Sequence, residues 1–121
     1  MSYRYCLLSS NARIPADRVA DAERSPRLQA AVTGSRDGSM SLRVVLWLFG
    51  FEYSVHPVTG DLLLDDCYPE EAVSDPERIL RIVAPFACGR LLWLGEDQTV
   101  WRGGFVDGEY VTSDAVLEAI P

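Results

Sequence analysis

The residues of this chain best equipped for chemistry are gathered in one stretch. The carboxylate pairs Asp65–Asp66 and Glu70–Glu71 flank Cys67 and Tyr68, and the single histidine, His56, lies shortly before them. Two adjacent carboxyl groups can drive their pKa values apart and so divide general-acid and general-base roles. That chemistry needs a cleft, for which a chain of 121 residues leaves little material; acids solvated on a loop are the plainer reading. A metal would have to use His56, Asp65, Asp66 and Cys67. The close ligand pairs of zinc sites are absent, and so is the alternating-acid register of calcium loops. His56 precedes Pro57 among turn-forming residues, which fits a surface turn. No G-x-S-x-G elbow is present. All eleven basic residues are arginine, so Schiff-base lysine chemistry and a P-loop lysine are excluded. Gly103–Gly104 falls inside an apparent strand, where a bulge is the expected use of glycine. The sequence therefore predicts neither an enzyme nor a cofactor.

Binding is what remains. From Asp61 to Glu77 the chain carries Asp61, Asp65, Asp66, Glu70, Glu71, Asp75 and Glu77 with no positive side chain, and the net charge of the whole is −7. Carboxylates at this density repel one another unless a cation or a basic partner shares the surface. The charge is also unevenly divided. Residues 1–60 hold seven arginines and five acids, a balance of +2, whereas residues 61–121 hold four arginines and thirteen acids, a balance of −9. Acidity on this scale disfavours direct nucleic-acid binding. Arg13, Arg18, Arg24, Arg27 and Arg36 are interleaved with Asp17, Asp21 and Glu23, the pattern of a salt-bridged helix surface.

The elements that must position these residues follow from pattern. With 48% hydrophobic residues and a mean hydropathy of +0.02, residues 1–121 read as a single globular domain. Tyr3 to Ser9 reads as a strand. Pro15 opens a helix closing near Arg24, and Ser25–Pro26 opens a second running to about Val32. Residues 33–39 have loop composition. Ser41 to Phe49, with its continuous run Val44–Val45–Leu46–Trp47–Leu48, reads as a core strand covered on both faces. Phe51, Tyr53 and Val55 alternate with Glu52 and Ser54 in a half-exposed strand, and a hairpin loop at 56–60 returns it through Asp61–Leu64. Asp75 caps a helix begun by Pro76, with Ile79, Leu80, Ile82 and Val83 on its apolar face and its end set by Pro85. Leu91–Leu94, Thr99–Val106 and Glu109–Val111 form a meander, its second turn a type I′ Asp107–Gly108. Ser113 or Asp114 caps a short helix over 115–119. The whole is an α+β domain: a mainly antiparallel sheet with a C-terminal three-stranded meander and two to four short helices packed on one face.

Cys6, Cys67 and Cys88 are odd in number and form no CxxC pair, so buried, reduced thiols are expected. The opening residues lack the form of a signal peptide, and the apolar run over 44–51 is too short to span a bilayer. A cytoplasmic protein without membrane contact is the expectation. Trp47 and Trp93 lie in apolar runs and read as core. Trp101 shares a strand face with Thr99, Gly103 and Phe105; buried, it would be ordinary core, and exposed, it would be a binding hot spot.

The opening Met1–Ser2–Tyr3–Arg4–Tyr5, the helix from Pro76 to Val83 and the meander (Leu92–Asp97, Trp101–Arg102, Val106–Gly108) together resemble small uncharacterised proteins of high-GC actinobacteria and their phages. The resemblance is structural and implies no catalytic residue. The sequence thus leads to a small acidic interaction protein that binds and modulates or inhibits a macromolecular partner, of the immunity type or as a phage factor against its host. Asp65, Asp66, Tyr68, Glu70, Glu71 and Trp101 are the candidate contacts to a protein partner with a basic surface. The alternative is a small-ligand binder or minor enzyme with a pocket between helix and sheet, lined by Trp93, Trp101 and arginines.

Overall fold

The computed structural model describes residues 5–31, 41–72 and 75–115. Two antiparallel sheets make the framework. The larger has the order β1-β5-β6-β7, from β1 (Tyr5–Ser10), β5 (Arg90–Gly95), β6 (Val100–Val106) and β7 (Glu109–Ala115). The smaller has the order β2-β4-β3, from β2 (Arg13–Ile14), β3 (Phe51–Val55) and β4 (Leu62–Cys67). Short helices complete the domain: α1 (Val19–Glu23), α2 (Pro26–Ala31), α3 (Leu42–Leu48) and α4 (Pro76–Val83). This is the α+β architecture expected. The expected meander is present as three antiparallel strands, and Asp107 and Gly108 both take positive φ, as a type I′ turn requires.

Alternation divides the larger sheet into two faces. The inner face carries Tyr5, Trp93, Trp101, Phe105 and Tyr110 and meets α4. Two hydrogen bonds pin that contact. The Tyr5 hydroxyl donates to Asp75 Oδ1 at 2.9 Å, and the Tyr110 hydroxyl donates to Glu77 Oε2 at 2.7 Å. Gly103 sits in uninterrupted register with both neighbouring strands, so the expected bulge is not there. Its missing side chain serves packing instead. The space a Cβ would fill holds the Tyr110 hydroxyl, which accepts the Trp93 indole N–H at 3.1 Å. At the corner between the sheets, Arg13 and Cys88 exchange backbone hydrogen bonds of 2.9 Å.

Residues 41–49 depart most from expectation: Leu42–Leu48 is helix, not strand. The buried positions Leu42, Val45, Leu46 and Phe49 are spaced i, i+3, i+4, i+7, one stripe of an α-helix. Burying each contributes about 1.5–3 kcal/mol, which outweighs the mild helix reluctance of β-branched residues. Both ends are signed. Ser41 Oγ accepts the Val44 N–H at 3.3 Å, and Gly50 at φ 85° takes the left-handed position just past the last turn. Glu23 Oε2 adds a second acceptor for this N-terminus, taking the Leu42 N–H at 2.7 Å.

The helix also moves Trp47. Expected in the core, it lies off the buried stripe and is 68% exposed. At the other end of the chain, Ser113 and Asp114 belong to β7 and cap no helix; the remainder of that expected helix, and the expected loop over 33–39, fall outside the described residues.

Candidate functional site

The end of α3 meets the start of β3 through Gly50. Its positive φ lets the chain reverse, and its carbonyl accepts the Tyr68 N–H at 2.7 Å. A Cβ there would stand 2.5 Å from the Tyr68 carbonyl oxygen, so only glycine permits this approach. The result is a cleft of about 350 Å³ between α3, β3 and the turn after β4. Trp47, Leu48, Gly50 and Phe51 give its apolar side; Tyr68, Glu52 and Glu71 give its polar rim.

The acidic segment divides into two sets. Asp61, Asp75 and Glu77 are consumed by the fold. Asp61 accepts the Ala16 N–H at 3.0 Å and pairs with Arg13 at 3.7 Å. Asp75 caps α4 through the Glu77 N–H, holds Tyr5 and pairs with Arg81 at 3.7 Å. Glu77 holds Tyr110. The second set is Asp65, Asp66, Glu70 and Glu71. Among the described residues, no arginine comes within ion-pair distance of any of them.

Local geometry explains how the second set is displayed. Asp65 and Asp66 are in strand β4, not in a loop as the sequence suggested. Register shifts there, with Glu52 opposite Asp66 and Tyr53 opposite Leu64, which leaves Asp65 as the extra, exposed residue of a bulge. Asp66 Oδ1 accepts the Cys67 N–H at 2.8 Å. Glu70 and Glu71 lie in a 3₁₀ turn over Pro69–Glu71. Glu52 and Asp66 are like charges directly across the strand pair, a destabilising arrangement. The Tyr68 hydroxyl moderates it by donating to Glu52 Oε2 at 3.0 Å. That bond, with the fields of Glu52 and Asp66, pushes the Tyr68 phenol up to about 12. It is therefore a proton donor at neutral pH. Burial, then the field of Asp66, raises the Cys67 thiol well above its ordinary value. A protonated, 2% exposed thiol is no nucleophile.

Trp101 is placed elsewhere. It is half-buried on the inner face of the larger sheet, stacked on Trp93 at 6.3 Å and 19° and tilted against Tyr5 at 5.5 Å. Trp93 is fully buried and cannot line an open pocket. His56 is likewise away from Asp65 and Asp66, at the opposite end of the β3–β4 pair. Its Nδ1 accepts the Val58 and Thr59 N–H groups, both at 3.1 Å, and so shapes the hairpin. The basic helices behave as their spacing suggested: Asp21 pairs with Arg18 at 3.7 Å and with Arg24 at 3.9 Å.

The structure thus assembles Asp66, Tyr68 and Glu71 of the expected set and adds Trp47 and Glu52. Trp47 was recoverable from the i, i+3, i+4, i+7 spacing, which leaves it off the buried stripe. Glu52 was visible on the outward side of the β3 alternation. No three His, Cys, Asp or Glu among the described residues are placed to hold a metal ion, and none of their helices is long and apolar enough to cross a membrane. Comparison with known proteins finds no matching family model, no matching curated protein and no matching solved structure.

Proposed function

We propose that this chain is a small acidic interaction protein that binds a protein partner through the cleft between α3 and Tyr68, and so modulates or blocks that partner. The observation that carries the reading is Trp47, 68% exposed, in one cleft with Glu52 and Glu71, which no arginine of the described residues neutralises. An exposed tryptophan above an apolar floor is the composition of a binding hot spot. Carboxylates around it select a basic surface, speed the encounter and repel acidic competitors. Arginine or lysine side chains suit both halves of the cleft, since a cation can lie over an indole face while pairing with Glu52 or Glu71. The setting would be an immunity or anti-host one, and the thiols of Cys6, Cys67 and Cys88, none in a disulfide, support the cytoplasm. The reading assigns no catalytic step.

The test is capture with immobilised protein from the native host, run in parallel with Trp47→Ala and with Glu70→Arg/Glu71→Arg. All these side chains are exposed, so the variants keep the fold, which circular dichroism checks. A partner retained by the wild type should weaken by about thirtyfold with Trp47→Ala, a hot-spot loss of roughly 2 kcal/mol. The charge reversal should weaken it further. Equal retention of the partner by all three proteins would end the proposal.

A further inference from the structure

A second cavity, of about 500 Å³, opens on the outer face of the larger sheet, where β1 ends and β5 begins. Its polar lining is Ser9, Ser10, Asn11, Arg90 and Arg102, and Leu91 and Leu92 supply the apolar part. Among the described residues, no carboxylate lines this space.

The sheet register sets the two guanidinium groups together. Arg90 is opposite Gly104 and Arg102 is opposite Leu92, so the arginines are diagonal neighbours on one face, roughly 7–8 Å apart at the backbone. Gly104 sends no side chain between them. Ser9 is opposite Leu92 on the other flank, which puts Ser9, Leu92 and Arg102 in one row across three strands. Among the described residues neither guanidinium has a carboxylate within ion-pair distance. Arg13, Arg18, Arg24 and Arg81 all do.

Asn11 sharpens the assignment. Its Oδ1 accepts the Arg90 backbone N–H at 2.6 Å, and its own backbone N–H donates to the Arg90 carbonyl at 2.9 Å. The acceptor side of the amide is thereby fixed, and its NH₂ group is the side left to donate. Ser10 Oγ is likewise used as an acceptor, by the Ala12 N–H at 3.1 Å, which leaves its proton to donate. Two guanidinium forks, one amide NH₂ and two hydroxyls therefore offer donors around one space of ligand size. Two fixed positive charges beside these donors match a tetrahedral dianion better than a planar monoanion, because each fork can take two oxygens of a phosphoryl group.

We propose that this cavity binds the phosphoryl group of a small phosphate monoester, with the organic part of the ligand lying along Leu92. The site is independent of the acidic cleft, and either can fail without the other.

Phenyl phosphate, inorganic phosphate and benzoate serve as probes in calorimetric titrations of the full chain. Phenyl phosphate should saturate a single site more tightly than inorganic phosphate, and benzoate should bind at least about tenfold more weakly, as expected when charge-assisted bonds are lost. Arg90→Ala and Arg102→Ala should each weaken phenyl phosphate by about tenfold or more. Amide shifts on titrating the wild type give a second readout that requires no variant, and should centre on Ser9, Asn11, Arg90 and Arg102. The assignment is overturned if phenyl phosphate does not saturate, if benzoate binds equally well, if both arginine variants bind as the wild type does, or if the shifts centre elsewhere.

Discussion

Removing one oxygen atom tests how the larger sheet is fastened to α4. The Tyr110 hydroxyl accepts the Trp93 indole N–H at 3.1 Å and donates to Glu77 at 2.7 Å. In Tyr110→Phe the N–H of the fully buried Trp93 loses its acceptor, at a cost of about 1–3 kcal/mol. Glu77 is half-exposed, so water replaces its lost donor and the further cost is about 0.5 kcal/mol. The sum is roughly 1.5–3.5 kcal/mol, or about 6–14 °C in Tm for a domain of this length. Glu77→Gln keeps an acceptor for the phenol and should cost about 1 kcal/mol or less. pH gives an independent check. Burial first, and then Glu77, raises the Tyr110 phenol well above its ordinary 10.0. The unfolded chain ionises near that ordinary value while the folded chain holds its proton. This contribution is therefore complete below pH 10.0 and is lost as the pH climbs towards the raised folded value. Tyr5, raised by burial and by Asp75, acts in the same direction. Urea unfolding across neutral and alkaline pH should show Tyr110→Phe less stable at neutral pH and less sensitive to alkali. A variant within about 0.5 kcal/mol of wild type at neutral pH would refute the bridging role.

Three further perturbations probe the cleft. Gly50→Ala combines a strained φ of 85° with a Cβ placed against the Tyr68 carbonyl, and should cost at least about 2 kcal/mol in urea unfolding; a loss below about 0.5 kcal/mol would mean that this turn relaxes freely. Maleimide at neutral pH should modify exposed Cys6 quickly, while Cys67, buried and with its thiol pKa raised, should react only as fast as the chain opens; equal rates, read by mass spectrometry, would contradict that burial. Glu52→Gln keeps an acceptor for Tyr68 and removes the like charge opposite Asp66, so it should hold or raise stability by about 0.5 kcal/mol, discounted for exposure, while weakening partner binding. A clear loss of stability would show that the opposed carboxylates are not in conflict.

Local chemistry was legible where one signal dominated. Asp107–Gly108 demands positive φ twice and so fixed the last hairpin, and Asp75–Pro76 marked the start of α4 because cap and proline act within a few residues. Residues 41–49 carried two signals in competition. The unbroken apolar run spoke for a buried strand, whereas Ser41, the 42/45/46/49 stripe and Gly50 spoke for a helix. Tertiary burial along that stripe decided between them, and with it the exposure of Trp47. Neither the split of the acids nor the arginine pair could be read from sequence. Which carboxylate meets Arg13, Tyr5, Arg81 or Tyr110, and that Arg90 neighbours Arg102, depend on contacts between residues far apart in the chain.

Several unfavourable features of the fold meet near the cleft, though others lie elsewhere, such as the second bulge in β1 and the close approach of Gly89 to Asn11. The described residues bury no charge and leave no buried side-chain polar atom unpaired. Around the cleft, by contrast, a tryptophan faces water, carboxylates oppose each other across a strand pair, a bulge pushes Asp65 outward, and a glycine is committed to an approach no other residue could make. The exposed indole and the opposed carboxylates are each unfavourable, and no arginine of the described residues pairs with Glu52 or Asp66. Local conflicts that meet at one surface are what a site shaped for something other than folding would show. A positive, partly apolar side chain laid on Trp47 would cover the indole and pair with Glu52 or Glu71, which is the contact the proposed basic partner would make.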